Sequence, residues 1–342
     1  MSKTSIAWTD MTLNPIIGCT HAGYVDTDGV KRAHPGCTNC YAEVMCSRKL
    51  PGFEPHNRCS ISGRWTGQIE VLYDRLIWPF TRPEYNPKRD GTQKRCFLTS
   101  LSDMGHPSLE EADWMVINGM MVLAPWVFWQ DLTKRPERQR DLLRAHSPID
   151  CARAALKRIG ELGLDTDGAV ARLSRPLMAI QRQGWEDIYY VHRYVSVSDQ
   201  PTADSLLPLL LQMPAAVRGI SLEPMIGPVD LAFSAFNGAD SFGSMPGINH
   251  VIVGGESGRH ARPFALEWVL DVIEQCRIAG VPCFVKQMGR RPYVEDPDFW
   301  PESLSTGEDW NGCAKWIRMN GSGSDPAEWP EELRVRQHVG EL

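Results

Sequence analysis

The sequence predicts an α/β fold, a full or partial (β/α) barrel of the TIM type, and three observations carry that prediction. Eight short apolar, β-branched or aromatic stretches recur along the chain, several are separated by segments with apolar residues at helical spacing, and 342 residues suffice for one barrel with insertions. The alternation favours a parallel sheet, because parallel neighbours need long crossover connections. A doubly wound open sheet satisfies the same alternation and stands as the alternative.

In chain order the expected strands are Thr12–Gly18, Ile69–Tyr73, Cys96–Leu101, Trp126–Leu132, Ile188–Val195, Val217–Leu222, His250–Gly254 and Val281–Val285. Apolar spacing of three and four predicts helices over Leu109–Val122, Ala203–Met213 and Leu266–Ala279. Ala145–Trp185 is too long for one crossover and reads as a helical insertion of two helices, Asp150–Leu162 and Gly168–Arg182. The barrel domain is expected over 1–289. The remainder, 290–342, is expected to be an irregular tail that wraps the body, since Trp300, Trp310, Trp316 and Trp329 would be costly to leave in water.

Charge and composition exclude several classes. Hydrophobic residues at 42% and charged residues at 23% describe a globular chain, neither disordered nor fibrous. The formal charge is −6, and eleven acids against six bases place −5 of it between Gly289 and Leu342. A body that is nearly neutral is no uniformly basic nucleic-acid binder, although it leaves room for a local basic groove. No run of 18 apolar residues exists, so no membrane span is expected. The opening MSKTSIAWTD has no basic-then-apolar leader pattern, and ten cysteines then suggest a reducing, cytoplasmic setting.

In a parallel barrel, chemistry gathers at the C-terminal ends of the strands. Here those ends carry Cys19, Ser102-Asp103, Thr133-Lys134-Arg135, Ser196-Val197-Ser198-Asp199, Glu223, Glu256 and Lys286. The spacing of Cys37 and Cys40, two residues between them on a Gly-containing turn, brings two thiolates within reach of one metal or cluster. Cys19 is the candidate third ligand. Cys46 is either a fourth ligand or a buried thiol. Zinc completed by His21 or His34, ordinary buried thiols, and an iron–sulfur cluster with one open iron all remain open at this point.

The quoted blocks resemble a known family. Trp8-Thr9-Asp10, Asn14-Pro15, Gly18-Cys19-Thr20 and Pro35-Gly36-Cys37-Thr38-Asn39-Cys40-Tyr41-Ala42-Glu43 are similar to the bacteriophage-associated three-cysteine-motif family, whose members are often paired with a three-Cys-motif partner protein. So are Ser102-Asp103-Met104, Leu132 to Arg138, Val195 to Gln200, Leu222 to Pro228, Ile252 to Gly258 and Lys286 to Gly289. That family looks like a branch of the radical S-adenosylmethionine (SAM) enzymes. The resemblance implies a [4Fe–4S] cluster on Cys19, Cys37 and Cys40, with SAM on the open iron. It implies cofactor contacts from Tyr41, Ser102, Asp103, Ser196, Ser198 and Glu256, and catalytic roles for Lys134, Glu223 and Lys286. Arg135 joins Lys134 and Lys286 as a candidate phosphate or carboxylate holder. Reductive cleavage of SAM to a 5′-deoxyadenosyl radical is the implied activity, in a bacterial or phage-infected cell, with an electron donor such as flavodoxin. A nucleobase or modified nucleotide in DNA modification is the implied substrate. The sequence adds five bases and two acids over Lys134–Arg144, just after Trp126 and Trp129. Two features depart from the usual C-x3-C-x2-C pattern: seventeen residues separate Cys19 from Cys37, and Asn39 stands where an aromatic is usual. A zinc-stabilised, non-catalytic module that binds nucleic acid or a partner is the alternative function.

Overall fold

The computed structural model describes residues 4–48, 54–85, 92–164, 174–231, 247–295, 305–310, 314–317 and 319–340. Its main sheet has seven strands: β1 (Met11–Leu13), β2 (Lys94–Leu98), β3 (Val127–Thr133), β4 (Val191–Val197), β5 (Val217–Leu222), β6 (His250–Gly254) and β7 (Cys283–Gln287). They lie side by side in chain order, and β1–β2, β2–β3, β5–β6 and β6–β7 pair in parallel. A doubly wound sheet would reverse its strand order at a switch point. This order never reverses. The chain therefore has a mixed α/β fold with the connectivity of a partial (β/α) barrel.

Seven of the eight expected strands are represented in that sheet: Val217–Leu222 and His250–Gly254 keep their expected ends, the others are shifted, and of Thr12–Gly18 only Thr12 and Leu13 belong to it. The eighth is a correction. Ile69–Tyr73 contributes only Glu70–Val71, which pairs antiparallel with Ile16–Ile17 in a separate two-stranded ribbon. Its alternating Ile-Glu-Val pattern suits a half-buried ribbon as well as a sheet interior, and both ribbon residues are indeed half-buried.

The chain divides into two compact units, each assembled from separated stretches: Met1–Ala22, Cys40–Tyr194 and Gln212–Arg218 in the first, and Gly23–Asn39, Val195–Leu211 and Gly219–Leu342 in the second. In the first unit, Trp8 packs its ring 4.8 Å from Phe97 and 5.9 Å from Tyr194. The helix Glu111–Leu123 is buried along nearly all its length, as its unbroken apolar run Met120-Met121-Val122-Leu123 requires. Helix Pro148–Glu161 packs against it. A Cβ on Gly119 would lie 1.9 Å from the Cys151 carbonyl oxygen, so only glycine admits so close an approach. Cys151, Ala152, Ala155 and Ile159 form the buried stripe of Pro148–Glu161. The first helix of the insertion is thus part of this unit's core packing. The second is Ser174–Ile180; 165–173 lie outside the described residues.

In the second unit, helix Leu266–Ala279 buries Leu266, Val269, Val272 and Cys276 and packs on β6 and β7. The stretch between His21 and His34 forms a hairpin, Gly23–Val25 with Lys31–Ala33, closed by Asp26 accepting the Val30 backbone N–H at 2.8 Å and paired with Arg32. The tail, expected to be irregular, contributes three strands to a small sheet, while its described residues 319–340 form no strand beyond one bridge. Phe264–Ala265, Pro292–Val294, Ala314–Ile317 and Ser305–Trp310 lie in that order. Trp329 is buried and Trp316 half-buried against Tyr293, while Trp300 lies outside the described residues. The last segment runs along β7, with Val285 N–H donating to Val335 and Gln337 N–H to Cys283, which covers that edge strand. Among the described residues, no helix is long and apolar enough to cross a membrane.

Candidate functional site

In the first unit the C-terminal ends of β1, β2 and β3 share one edge of the sheet, since the three strands are parallel. Gly18 has φ +88°, and a Cβ there would strike Gln68 O at 2.2 Å and Cys59 Sγ at 2.9 Å. This turn delivers Cys19. Ser102 Oγ donates to Gly18 O at 2.6 Å and pins the turn to the loop after β2. That loop begins at Thr99, a β-branched residue held at φ 58°, an outlier of the kind that collects at functional sites.

The side chain that organises this edge is Arg135. Its Nη1 donates to Asp103 Oδ2 at 2.9 Å and lies 3.6 Å from Cys19 Sγ, while Nη2 donates to Thr20 O at 2.9 Å and Thr20 Oγ1 at 3.0 Å. Asp103 also accepts from Thr133 Oγ1 at 2.6 Å, Gly105 N at 2.7 Å and Lys134 N at 3.1 Å. Burial alone would raise the Asp103 carboxyl, but the Arg135 charge and these hydrogen bonds hold it below its usual value. Burial likewise opposes the Arg135 charge, and Asp103 and Cys19 together hold that guanidinium above its usual value. His106 Nε2 lies 3.1 Å from Thr20 Oγ1, and its Nδ1 accepts from Ser108 N–H, so the ring donates from Nε2 as a neutral imidazole. Burial, then the Arg135 charge, lowers its pKa to about 4.

Beside this edge lies a group of sulfurs. Cys19 and Cys40 are half-buried, with Cys40 capping the short helix Tyr41–Cys46. Cys46 and Cys59 are fully buried in a cluster with Ile17, Ala42 and Leu101. Burial pushes the Cys46 thiol up to about 12, with contributions from Cys59, Cys40 and Cys19. The Cys59 thiol rises to about 11, again chiefly by burial. These two stay protonated. Among the described residues, no three His, Cys, Asp or Glu side chains converge to hold a single metal ion.

In the second unit, His34 and the turn Pro35–Cys37 carry Cys37. His34 Nε2 lies 3.0 Å from Ser196 O on β4, and Nδ1 accepts the Gly36 N–H at 3.1 Å. Glu256, after β6, accepts from Arg262 Nη2 at 2.7 Å on Oε1. Its Oε2 accepts from Arg262 Nε at 2.9 Å, Arg262 N at 2.9 Å and Asn39 Nδ2 at 3.1 Å. Burial opposes this charge too, yet the Arg262 hydrogen bonds and charge, with Asn39, hold the carboxyl below its usual value. Lys286 Nζ lies 2.9 Å from Glu223 Oε1. That contact is an ion pair by distance without hydrogen-bond alignment, since the same buried oxygen has no hydrogen-bond partner. Ser196 Oγ donates to Glu223 O at 3.2 Å, whereas Ser198 Oγ and Ser221 Oγ are buried without a hydrogen-bond partner among the described residues.

A family described as "protein of unknown function", DUF5131, matches residues 3–316. The chain belongs to that family. No curated protein matches, and no solved structure does.

In this DUF5131 chain the expected site residues occupy both units. The first holds Cys19, Cys40, Tyr41, Ser102, Asp103 and Lys134; the second holds Cys37, Ser196, Ser198, Glu223, Glu256 and Lys286. Tyr41 is half exposed, with its hydroxyl donating to Ser100 O at 2.7 Å. Lys134 enters the Asp103 network through its backbone N–H. Glu256 and Asp103, expected to meet the cofactor, are already surrounded by protein donors. Sequence reasoning missed Arg262 and His106. Arg262 pairs with Glu256, six positions before it, across a loop that has no periodic pattern to announce the contact, and its other partner, Pro35 O, is 227 positions away. His106 was within reach, as the third residue after an Asp-bearing strand end.

Proposed function

We propose that this chain is a radical SAM enzyme of the phage-associated three-cysteine type. Its [4Fe–4S] cluster would be held by Cys19, Cys37 and Cys40, and its substrate would be a nucleobase or modified nucleotide. The donor set fits the group. Each thiolate of such a cluster binds a different iron, so the three sulfurs need not converge on one point. Two of the three, Cys19 and Cys40, are half-buried beside a sulfur group whose other members, Cys46 and Cys59, are sealed and protonated. The observation that carries the reading is the Arg135 guanidinium against the Cys19 sulfur, since a fixed cation favours the thiolate that ligation requires.

When bound, the cluster would pass an electron to the SAM sulfonium and so supply the 5′-deoxyadenosyl radical. The chain's own residues do the remaining work. Asp103 and Thr20 orient Arg135, and His106 steadies Thr20 as a neutral donor. Lys286 and Glu223 offer one positive and one negative group at the ends of β7 and β5, suited to a zwitterion or an anion. The zinc-module alternative gains nothing from the histidines. His21 is paired with Glu43 at 3.1 Å and His34 is held by Ser196 and Gly36, so either would have to break those bonds to ligate.

The test is anaerobic reconstitution with iron and sulfide, chemical reduction, addition of SAM, and an assay for 5′-deoxyadenosine. Its formation, lost in Cys19→Ala, supports the reading. A colourless protein that takes up one zinc, or a cluster-bearing protein that leaves SAM intact, overturns it. A flavodoxin-like electron donor and a three-Cys-motif partner protein belong to the same proposal and are tested by pull-down with the loaded chain.

A further inference from the structure

We propose that Glu256, Arg262 and Asn39 form a clamp that positions the Cys37 turn, so that Glu256 acts through that turn and leaves the cofactor to other groups. The proposal rests on Cys37 being a cluster ligand. Its basis is the acceptor capacity of one carboxylate. Oε1 of Glu256 receives Arg262 Nη2, and Oε2 receives Arg262 Nε, Arg262 N and Asn39 Nδ2, all between 2.7 and 3.1 Å. Each oxygen of an ionised carboxylate offers about two lone-pair sites, so Oε2 with its three donors is saturated and Oε1 with its one keeps a single site. With 6% of its surface exposed, Glu256 presents little of that remaining site to an amino group or a ribose hydroxyl.

The same network reaches both ends of the turn. Arg262 Nη1 donates to Pro35 O at 3.1 Å, ahead of Cys37, and Asn39 Nδ2 also donates to His260 O at 2.9 Å, behind it. The fork geometry of arginine serves two purposes here: two nitrogens grip the carboxylate side by side and the third holds the turn. His34 adds a third hold from β4, through Ser196 O and the Gly36 N–H. The backbone around Cys37 is therefore fixed before any ligand binds. Asn39 gains its purpose at the same time. It stands where the resembled family usually has an aromatic, and here a side-chain amide is needed to bridge Glu256 and His260.

Full-length Asn39→Ala, Arg262→Lys and Arg262→Gln are compared with wild type in three measurements. Iodoacetamide labelling of the metal-free protein reads Cys37 against Cys19 and the buried Cys151. Iron per chain is read after reconstitution, and the reduced cluster is read by electron paramagnetic resonance. Thermal melting reports folding, and Asn39→Ala, which removes only the hydrogen bonds at one end, keeps the test alive if Arg262→Gln fails to fold. Cys37 labelling is expected to quicken about ten-fold, the weight of one lost charge-assisted hydrogen bond, while Cys19 and Cys151 keep their wild-type rates. Iron content should fall and the resonance shift, with Arg262→Lys between wild type and Arg262→Gln. Unchanged Cys37 labelling and iron content overturn the clamp, as does a variant in which all three cysteines quicken together. A wild type that takes no iron, while its variants still unmask Cys37, sinks the cluster reading and leaves the hold on the turn standing.

Discussion

Arg135 Nη1 sits 2.9 Å from Asp103 Oδ2 and 3.6 Å from Cys19 Sγ, so one guanidinium nitrogen links the loop after β2 to the sulfur after β1. Both charged side chains are nearly sealed, at 13% and 7% exposed. Replacing Arg135 by Gln leaves the Asp103 carboxylate buried without a counter-charge, which should cost about 3 kcal/mol by urea denaturation. The same change should slow iodoacetamide labelling of Cys19 at fixed pH, because the thiolate loses its cation. Wild-type labelling in a folded Arg135→Gln protein would remove the main support for Cys19 as a ligand.

His106 provides a pH signature. Its ring titrates near 6.5 in an unfolded chain but only at about 4 in the fold. Between those values the unfolded chain holds the extra proton and the folded chain does not, so stability falls as pH drops through that window. Denaturation midpoints of wild type and His106→Gln, followed from pH 7 to pH 4, should draw together on acidification. Parallel curves would mean the ring accepts its proton in the fold at no penalty.

The fold was legible where apolar runs end abruptly. Val217–Leu222 and His250–Gly254 match their expected strands end for end, and Leu266–Ala279 matches its helix. A Glu-Pro, a Gly-Gly and a Gly after the last helical residue mark their limits. Ile69–Tyr73 misled because alternation tells which face is buried and not which strand lies next to it. The tail misled because its strands find partners only in the small sheet, Phe264–Ala265 against Pro292–Val294. At the site, sequence brought out residue types and strand ends. It could not show that Glu256 would meet Asn39, or that Arg135 would turn to Cys19 and Asp103, because those pairings are tertiary, and the local Glu256–Arg262 pair lies in a loop without a repeating pattern.

The cysteines should separate into two classes. Cys19→Ala, Cys37→Ala and Cys40→Ala should each abolish cluster assembly, measured as iron and sulfide per chain. Cys46→Ala and Cys59→Ala should keep it, since burial holds those thiols protonated up to about 12 and about 11. Their loss should cost roughly 1 kcal/mol of packing. Iron loss in Cys46→Ala would redraw the ligand set.

Helix Pro148–Glu161 should prove indispensable to the first unit. Gly119→Ala places a methyl 1.9 Å from the Cys151 carbonyl oxygen, and two rigid helices must part to admit it. A loss of at least about 1–3 kcal/mol is expected, the range for overpacking. Replacing the helix by a flexible linker would also expose the face of Glu111–Leu123 that it covers. A Gly119→Ala protein as stable as wild type would show that the two helices are free to slide.

Lys286 owes its direction to a bulge. Val253 faces Val285 and Gly254 faces Gln287, so Lys286 is the extra residue of β7, and bulges of this kind turn a side chain aside from the strand's regular alternation. It turns to Glu223, 2.9 Å away, with the two side chains 22% and 11% exposed. A pair kept only for stability should be replaceable. Lys286→Met alone leaves the Glu223 carboxylate half-sealed without its partner and should cost about 1–3 kcal/mol. The double variant, with Glu223→Gln as well, removes both charges and should regain most of that loss. Function should follow the opposite course. If the pair grips the cofactor or an anionic substrate, both the single and the double variant should retain iron yet form 5′-deoxyadenosine more slowly than wild type. A double variant that is stable, loaded with iron and as active as wild type would reduce this ion pair to a structural contact between β5 and β7.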